Sequence, residues 1–416
     1  MTTHQAPQQT PAPVLSRTDA ATHRPRTLAA VWAVTRLGML VLLVRDDLGV
    51  GGVSREVYVL YAGWYEQLAR GAFPYGDTTW QYPPGAAAVF LSPGLLPWLS
   101  YFQAFVTLAL LADAAVTRAL ARAGGREAGS AGAWLWTCGL PLLLHIPLAR
   151  YDVQTTALAV FALLALLGPR TRPRPRLGGA LAGLGATVKV WPLLTLLGTA
   201  RGRTTRAAWT SAAAAAAALL AGLALGFPHT LDFLRQQGDR GVQIESLGGT
   251  ALHLARLAGL PYHVEYRYGA FEFLGPQVPA VARLSLLLTA AAFGWLLLWR
   301  VRARHWTPAT PCDAALCAVL LFTVTSRVIS PQYLIWLLGL AAVCLTTRRT
   351  TQRPVALLLL PAAALSSLGY PLLYEDVIAS TPAGCTVLVL RNGLLLTAAW
   401  LSCRGLWRAT ITASHG

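Results

Sequence analysis

The stretch RTRPRPRLGGALAGLGATVKVWPLLTLLGTARGR, residues 170–203, places an apolar run between two clusters of arginine. Arginine-rich loops of membrane proteins stay on the cytoplasmic side, so a run with such a cluster at each end must enter the membrane and return. The apolar part, residues 178–199, has only about 22 residues, and one full span already needs about 20. The sequence therefore predicts a re-entrant hairpin of two short helices with its tip near residues 189–192. Such broken helices are tolerated only where protein or a water-filled cavity surrounds them.

The composition of the whole chain predicts a membrane protein. Of its 416 residues, 55% are hydrophobic and 12% are charged, whereas soluble globular proteins carry about 25% charged residues. This composition excludes a soluble enzyme and a disordered protein. The net charge is +17, but the basic residues are scattered between apolar runs, so no nucleic-acid partner is expected. The six cysteines form no CxxC motif, and neither disulfides nor a metal site is expected.

The apolar runs predict an all-α polytopic fold with roughly a dozen membrane segments. Residues 1–26 are polar and proline-rich, and we expect a disordered cytoplasmic tail. Residues 27–408 are predicted to form a single transmembrane domain, and residues 409–416 a short cytoplasmic tail. Arginine clusters separate many of the runs, and placing all the clusters inside makes both termini of this cell-membrane protein cytoplasmic.

That topology leaves most of the acidic residues on the extracytoplasmic side, in residues 45–83, 149–152, 227–278, 326–331 and 374–384. The positive-inside rule accounts for the arginines but says little about acids. Acidic enrichment of the outer loops therefore indicates that the chemistry takes place there.

The first outer loop contains a predicted helix at residues 56–70, whose apolar and aromatic residues share one face. Such a helix would lie along the membrane interface. An aromatic belt with turn residues is the alternative interpretation. A belt alone would need neither Glu56 before it nor Asp77 after it, so a functional loop is favoured.

Three cations stand near outer loops. Lys189 is the one lysine among 34 basic residues, and it lies in the apolar hairpin. Charges inside a membrane are costly and usually functional, and lysine is a common phosphate ligand, although snorkelling is the alternative. Arg327 stands beside the helix start predicted at Ser330-Pro331, which forms either an anion site or an ordinary cap. Arg240 lies in the 227–278 loop.

Further polar residues of the outer loops are candidate substrate ligands. Asp152 follows an arginine and a tyrosine. It is either a functional residue, one partner of a surface ion pair, or the N-cap of the next helix. Gln243 and Ser246 are three residues apart and would share a helix face. The complete set of candidate substrate ligands is Asp77, Tyr82, Asp152, Gln243, Glu245 and Gln332.

Carboxylates beside cations suit one type of reaction. A carboxylate can take the proton of an acceptor hydroxyl, and cations can stabilise a departing phosphate. The chain contains no Walker motif, Rossmann fingerprint, HExxH motif or GxSxG elbow, so a nucleotide-driven or hydrolytic enzyme has no support.

Five stretches make the chain resemble glycosyltransferase family 87, the polyprenyl-phosphate-mannose-dependent mannosyltransferases of the GT-C class. They are EVYVLYAGWYEQLARGAFPYGDTTWQYPPGAA, ARYDVQTTALAV, GLGATVKVWPLL, RGVQIESLGGTALH and SRVISPQYLIWLL. The resemblance implies a GT-C-like catalytic domain. It also implies an aspartate as general base at the position of Glu56, so the sequence departs from the family there, and Asp46 and Asp47 remain rivals. The family's lysine matches Lys189, and its Ser-Pro-Gln matches residues 330–332.

The resemblance implies transfer of a hexose, mannose in the first place, from a polyprenyl phosphate to an acceptor hydroxyl on the extracytoplasmic face. Glu56 would be the base, and Lys189, Arg240 and Arg327 would hold the donor phosphate. No cofactor or metal is required. A non-enzymatic transporter or flippase of lipid-linked sugars is the alternative, although it should show inverted repeats, and a structural scaffold is a second. The acceptor stays open between a glycolipid, a glycan, a protein and a natural product.

Overall fold

The computed structural model describes residues 17–74, 76–77, 79–124, 129–168, 172–230 and 241–412, with the backbone alone for residues 17–25. Over these residues the chain is built of α-helices joined by short connections, which confirms the predicted all-α fold. In chain order the helices are α1 (Arg17–Arg45), α2 (Ala62–Ala69), α3 (Ala86–Leu91), α4 (Tyr101–Ala123), α5 (Ala131–Gly139), α6 (Asp152–Leu167), α7 (Pro175–Val188), α8 (Arg203–Gly226), α9 (Leu247–Leu257), α10 (Val278–Arg302), α11 (Thr310–Thr325), α12 (Tyr333–Cys344), α13 (Arg353–Ser367), α14 (Tyr374–Ala379) and α15 (Pro382–Thr410).

The protein is a multi-pass membrane protein. Within the described ranges, six helices are long and apolar enough to cross a bilayer, namely α1, α4, α8, α10, α13 with the turn that follows it, and α15. Five shorter apolar helices accompany them, namely α3, α5, α6, α11 and α12. Together with the hairpin these segments agree with the predicted dozen. The first helix begins at Arg17, inside the part of the chain that was predicted to be a disordered tail.

Two short helical arms are present where the hairpin was predicted. Its first arm is α7, and its second arm is a short 3₁₀ turn at Trp191–Leu196. Lys189, between them, has an extended backbone. Two glycines bring α7 close to α8, since a Cβ added to Gly179 or Gly183 would lie about 2 Å from a backbone carbonyl of α8. Small residues that let backbones approach are a general way of packing helices inside membranes.

A small antiparallel sheet stands in the 227–278 region, where the sequence predicted no strand. Its strands are β1 (Val242–Gln243), β2 (His263–Arg267) and β3 (Ala270–Leu274), in the order β1-β3-β2. Gln243 is therefore in a strand, and Ser246 caps α9 with its hydroxyl. The predicted shared helix face of these two residues is wrong. By contrast, the predicted helix of the first outer loop is present, as a π-helical turn at Glu56–Tyr61 that continues into α2.

The arginine-bearing ends of several helices meet at one end of the molecule. Arg201 before α8 donates to the carbonyl of Val301 in α10 at 2.7 Å, and Arg300 donates to Thr205 at 3.0 Å. The backbone N–H of Arg304 after α10 donates to Thr410, the last residue of α15, at 3.0 Å. The structure thus brings these clusters together, as one cytoplasmic side would require.

A buried ion pair ties the first helix to the bundle. Arg36 of α1 contacts both oxygens of Asp113 of α4, at 2.7 and 2.9 Å, and both side chains are 2% exposed. Trp32 and Trp136 each donate to the same carboxylate at 2.7 Å. Arg36 also donates to the carbonyl of Thr137. The network therefore joins α1, α4 and α5 with the charges fully hydrogen-bonded.

We expect Asp113→Leu to lower the free energy of unfolding by about 3–5 kcal/mol, because it leaves the Arg36 guanidinium buried without its counter-ion. The double variant Arg36→Met/Asp113→Leu should recover much of this loss. The measurement is thermal unfolding of the detergent-solubilised protein. Glu66→Gln, which breaks the exposed Glu66–Arg70 pair, is the matched control and should change stability by less than about 1 kcal/mol. An equal loss for the single and the double variant would contradict the electrostatic explanation.

Candidate active site

A cavity of about 510 Å³ lies between the first outer loop, the sheet and the loop before α12. Small-molecule sites typically have volumes of about 300–1,000 Å³. Its lining contains four of the predicted site residues, Glu56, Gln243, Glu245 and Gln332. It also contains polar and aromatic residues that the sequence analysis did not select as site residues: Arg55, Thr79, Arg150, Tyr266, Phe271, Ser330, Tyr370 and Tyr374.

Glu56 lies at the first position of the π-helical turn, and its carboxylate is half-buried. One carboxylate oxygen contacts Arg150 Nη2 at 2.9 Å, and the other accepts a hydrogen bond from the Tyr61 hydroxyl at 3.2 Å. Arg150 is itself fixed, because it donates to the backbone carbonyls of Val53 and Ala149 at 3.1 and 2.9 Å. Arg150 thus pairs with Glu56, not with Asp152 as the surface-pair interpretation had it. The contact orients the carboxylate at the edge of the cavity.

Gln243 is the last residue of β1, and Glu245 belongs to the turn that connects β1 to α9. The backbone N–H of Gln243 donates to the carbonyl of Arg327 at 3.0 Å, which fixes the turn to the loop before α12. The Gln243 amide donates to Ser330 at 3.3 Å and to Glu245 at 3.4 Å. Burial raises the pKa of Glu245 to about 7, and Arg391 of α15 opposes this rise. The Glu245 carboxyl is therefore partly protonated near neutral pH.

Lys189 and Asp152 form a buried pair below the aromatic residues of the first outer loop. The Lys189 ammonium lies 2.6 Å from Asp152 Oδ1, which also accepts a hydrogen bond from the Trp336 indole. The same ammonium lies 4.6 Å from the ring centroid of Tyr151 and 5.0 Å from that of Trp336, with two further tyrosine rings within 6.0 Å. Neither Lys189 nor Asp152 is among the described residues that line the cavity.

Asp77 and Tyr82 belong to the packing of the outer loop. Asp77 accepts hydrogen bonds from the Trp64 indole at 2.7 Å and from both polar groups of Thr79 at 2.8 and 2.6 Å. The ring of Tyr82 packs edge-on against Trp64 and Tyr151, at centroid distances of 5.7 and 5.1 Å. These contacts hold the segment that contains Asp77 and Tyr82 against α2.

Asp46 and Asp47, the two alternative candidates for the general base, have surroundings different from those of Glu56. Asp46 accepts hydrogen bonds from the backbone N–H groups of Val53 and Ser54, and it lies 3.2 Å from the buried His145 ring. It therefore closes the loop that follows α1. Asp47 is exposed. Within the described ranges, neither aspartate lines the cavity.

Of the remaining predicted phosphate ligands, Arg327 is not among the described residues that line the cavity. Arg240 lies outside the described residues. Arg327 precedes the cavity-lining Ser330, but its described contact with Gln243 uses its backbone carbonyl. Two arginines of the cavity, Arg55 and Arg150, were not selected as ligands. Arg150 stood beside Asp152 in the sequence, and only the fold shows that it faces Glu56.

One group of potential metal ligands is found within the described part of the chain. The ligand atoms of Cys312, Asp313 and Cys344 lie within 4.8 Å of one another. They stand at the opposite end of α11 from Ser330, and Asp313 already accepts hydrogen bonds from Thr350 and Thr351 at 2.6–2.9 Å. This carboxylate fixes the loop between α12 and α13.

Three comparisons with known proteins bear on the chain. The crystal structure of ArnT from Cupriavidus metallidurans bound to undecaprenyl phosphate is similar to this chain, with a TM-score of 0.45 and 14% sequence identity, over 94% of this chain and 78% of that one. No curated protein sequence matches the chain. The sequence pattern of glycosyltransferase family 87 matches residues 80–331. This match covers more than half of the chain and contains Tyr82 and Lys189, and the chain therefore belongs to glycosyltransferase family 87.

Proposed function

We propose that this membrane glycosyltransferase transfers a hexose, with mannose as the expected sugar, from a polyprenyl phosphate to an acceptor hydroxyl on the extracytoplasmic face. The observation that carries the proposal is the oriented carboxylate of Glu56, held by Arg150 at the edge of a cavity large enough for a small-molecule substrate. Membership of family 87 supports the reaction class, and the acid-rich outer loops support the side of the membrane.

The reaction is a single displacement at the anomeric carbon. Glu56 takes the proton of the acceptor hydroxyl as its oxygen forms the new bond to the anomeric carbon. The bond between that carbon and the phosphate oxygen breaks at the same time, and the polyprenyl phosphate leaves with the bonding electron pair. The configuration of the sugar is inverted. Incubation of purified protein with labelled polyprenyl-phosphate-mannose and a panel of acceptors tests this reaction directly.

The charge that develops on the leaving phosphate needs cations. Arg55 and Arg150 line the cavity and are in place for this role. Lys189 has three N–H donors, and Asp152 accepts one of them. We therefore propose that Lys189 binds the donor phosphate while its ammonium stays hydrogen-bonded to Asp152. Arg240 and Arg327 remain proposed ligands.

We expect Glu56→Gln to lower kcat by about 10²–10⁴-fold, because the amide keeps the size of the side chain but cannot accept a proton from the acceptor. Glu56→Asp restores the residue typical of the family and should retain activity. Steady-state kinetics with labelled donor measure both variants. Glu66→Gln, an exposed carboxylate of the same outer segment, is the control and should behave as wild type. If Glu56→Gln has nearly the wild-type kcat while Asp46→Asn or Asp47→Asn is inactive, the base is instead the aspartate at the end of α1.

The role of Lys189 requires a double variant, because Lys189→Met alone leaves Asp152, which is 1% exposed, with an uncompensated charge. We expect Lys189→Met/Asp152→Asn to fold and to raise the KM for the donor about tenfold or more, the value of a lost hydrogen bond to a charged group. Asp152→Asn alone keeps the ammonium but removes its counter-ion, so its folding is measured beside that of the double variant, and the folded fraction should keep the wild-type KM for the donor. A folded double variant with the wild-type KM for the donor would reduce Lys189 to a structural role.

We expect both termini to be cytoplasmic, because the arginine-bearing helix ends lie together in the structure. A reporter that is active only outside the membrane should give no signal when it is fused after the last residue, Gly416. The same reporter fused after Gly269, in the turn between β2 and β3, should give a strong signal. The reverse pattern would place the cavity on the cytoplasmic side.

A further inference from the structure

Two arginines lie side by side where the arginine-rich ends of α8 and α10 meet. Arg201 donates from Nη2 to the backbone carbonyls of Arg300 and Val301, the latter at 2.7 Å. The Arg300 guanidinium donates to the Thr205 hydroxyl at 3.0 Å, and it is close enough to Arg201 for the two charges to repel each other. Within the described ranges, neither guanidinium forms an ion pair with a carboxylate, and Arg300 Nη1 has no hydrogen-bond partner.

The sequence around these two arginines contains no acid. Residues 153–231 and 273–312 hold neither aspartate nor glutamate. The next acid in the chain, Asp313, is buried and accepts hydrogen bonds from Thr350 and Thr351. Six arginines stand at the junction of α8 and α10: Arg201, Arg203, Arg206, Arg300, Arg302 and Arg304. The carboxyl end of α10 offsets only about half a positive charge, so the junction carries a strong positive potential.

Tryptophans fix this junction and mark its depth in the membrane. The Arg300 guanidinium lies 4.6 Å from the centroid of the Trp306 ring, which packs on the fully buried Trp299 at a centroid distance of 5.9 Å. The Trp299 indole donates to Thr410 at 2.9 Å. Trp209 of α8 is partly exposed. Because tryptophan is enriched where lipid headgroups meet hydrocarbon, the arginines stand at the level of the headgroups.

An exposed apolar stripe of α10 leads from the arginines into the membrane. Leu287, Leu297 and Val301 lie on one face of the helix, and each is well over half exposed. Helix α10 is among the least buried of the long apolar helices. The 14 residues from Leu287 to Val301 extend about 21 Å along the helix, more than half of a hydrocarbon core of about 30 Å. The stripe is therefore long enough to follow an acyl chain through one leaflet.

A phospholipid combines a phosphate with acyl chains, and charge complementarity selects its headgroup. An ammonium headgroup would meet arginines and, among the described residues, no carboxylate. Arginine is well suited to phosphate. We propose that the junction of α8 and α10 binds an anionic phospholipid, with its phosphate at Arg201 and Arg300 and one acyl chain along the stripe of α10. This site does not depend on the proposed reaction.

The test is native mass spectrometry of the full-length, detergent-solubilised protein titrated with dioleoyl phosphatidylglycerol or dioleoyl phosphatidylcholine. We expect the first phosphatidylglycerol to bind with a Kd about tenfold or more below that of phosphatidylcholine. Arg201→Gln/Arg300→Gln should raise the Kd for phosphatidylglycerol about tenfold or more, the value of a lost hydrogen bond to a charged group. Arg118→Gln/Arg122→Gln makes the same change in net charge at two exposed arginines of α4, and this control should keep the wild-type Kd.

Equal Kd values for the two lipids, or equal effects of the two double variants, would overturn the proposal, because either result shows only the general attraction of a positive surface. Displacement of phosphatidylglycerol by an equal concentration of inorganic phosphate would assign the arginines to a free anion and also overturn it. The exposed Arg201 allows a milder variant if the double variant does not fold. Arg201→Gln should raise the Kd about threefold, and an unchanged Kd in this folded variant would contradict the site.

Discussion

A charge that leaves water for the interior of a membrane protein needs an opposite charge within hydrogen-bonding distance, and this constraint organises the molecule. The Arg36–Asp113 pair fixes α1 to α4 and α5. The Lys189–Asp152 pair joins the tip of the re-entrant hairpin to α6 and, through Trp336, to α12. The Glu56–Arg150 pair stands where the bundle meets the outer loops. Each pair joins segments that are separated in the sequence.

The cavity depends on this arrangement, because no single segment supplies it. Glu56 comes from the first outer loop, and its partner Arg150 comes from the loop before α6. The sheet contributes aromatic rings, Gln243 at the end of β1 contributes the amide, and the turn after β1 contributes the carboxyl. The hydrogen bond between the backbone of Gln243 and Arg327 then fixes that turn to the loop before α12. The Glu56 carboxylate is thereby held by elements that are themselves packed, which is what preorganisation of a site requires.

Much of this architecture could be predicted from patterns with a direct physical cause. The hairpin at residues 170–203 followed from its length and its flanking arginines, and Glu56, Gln243, Glu245 and Gln332 were found because polar residues in outer loops are conspicuous. Asp113 was not selected, because its partner Arg36 is 77 residues away and pairing at that distance has no local signal. The sheet was missed for a similar reason. Its two-residue strand β1 is too short to show alternation, and its pairing with β3 is non-local.

The last helix links both ends of the protein. Near its start, Arg391 and Asn392 of α15 donate to the backbone of the turn that carries Glu245, and its final residue accepts hydrogen bonds from the arginine-rich end of α10. With 29 residues, α15 is about 44 Å long. In chain order α15 follows all the other described helices. The turn beside the cavity thus acquires these contacts only after those helices have been synthesised, and a chain interrupted before α15 would carry Glu245 without the backbone contacts that hold its turn.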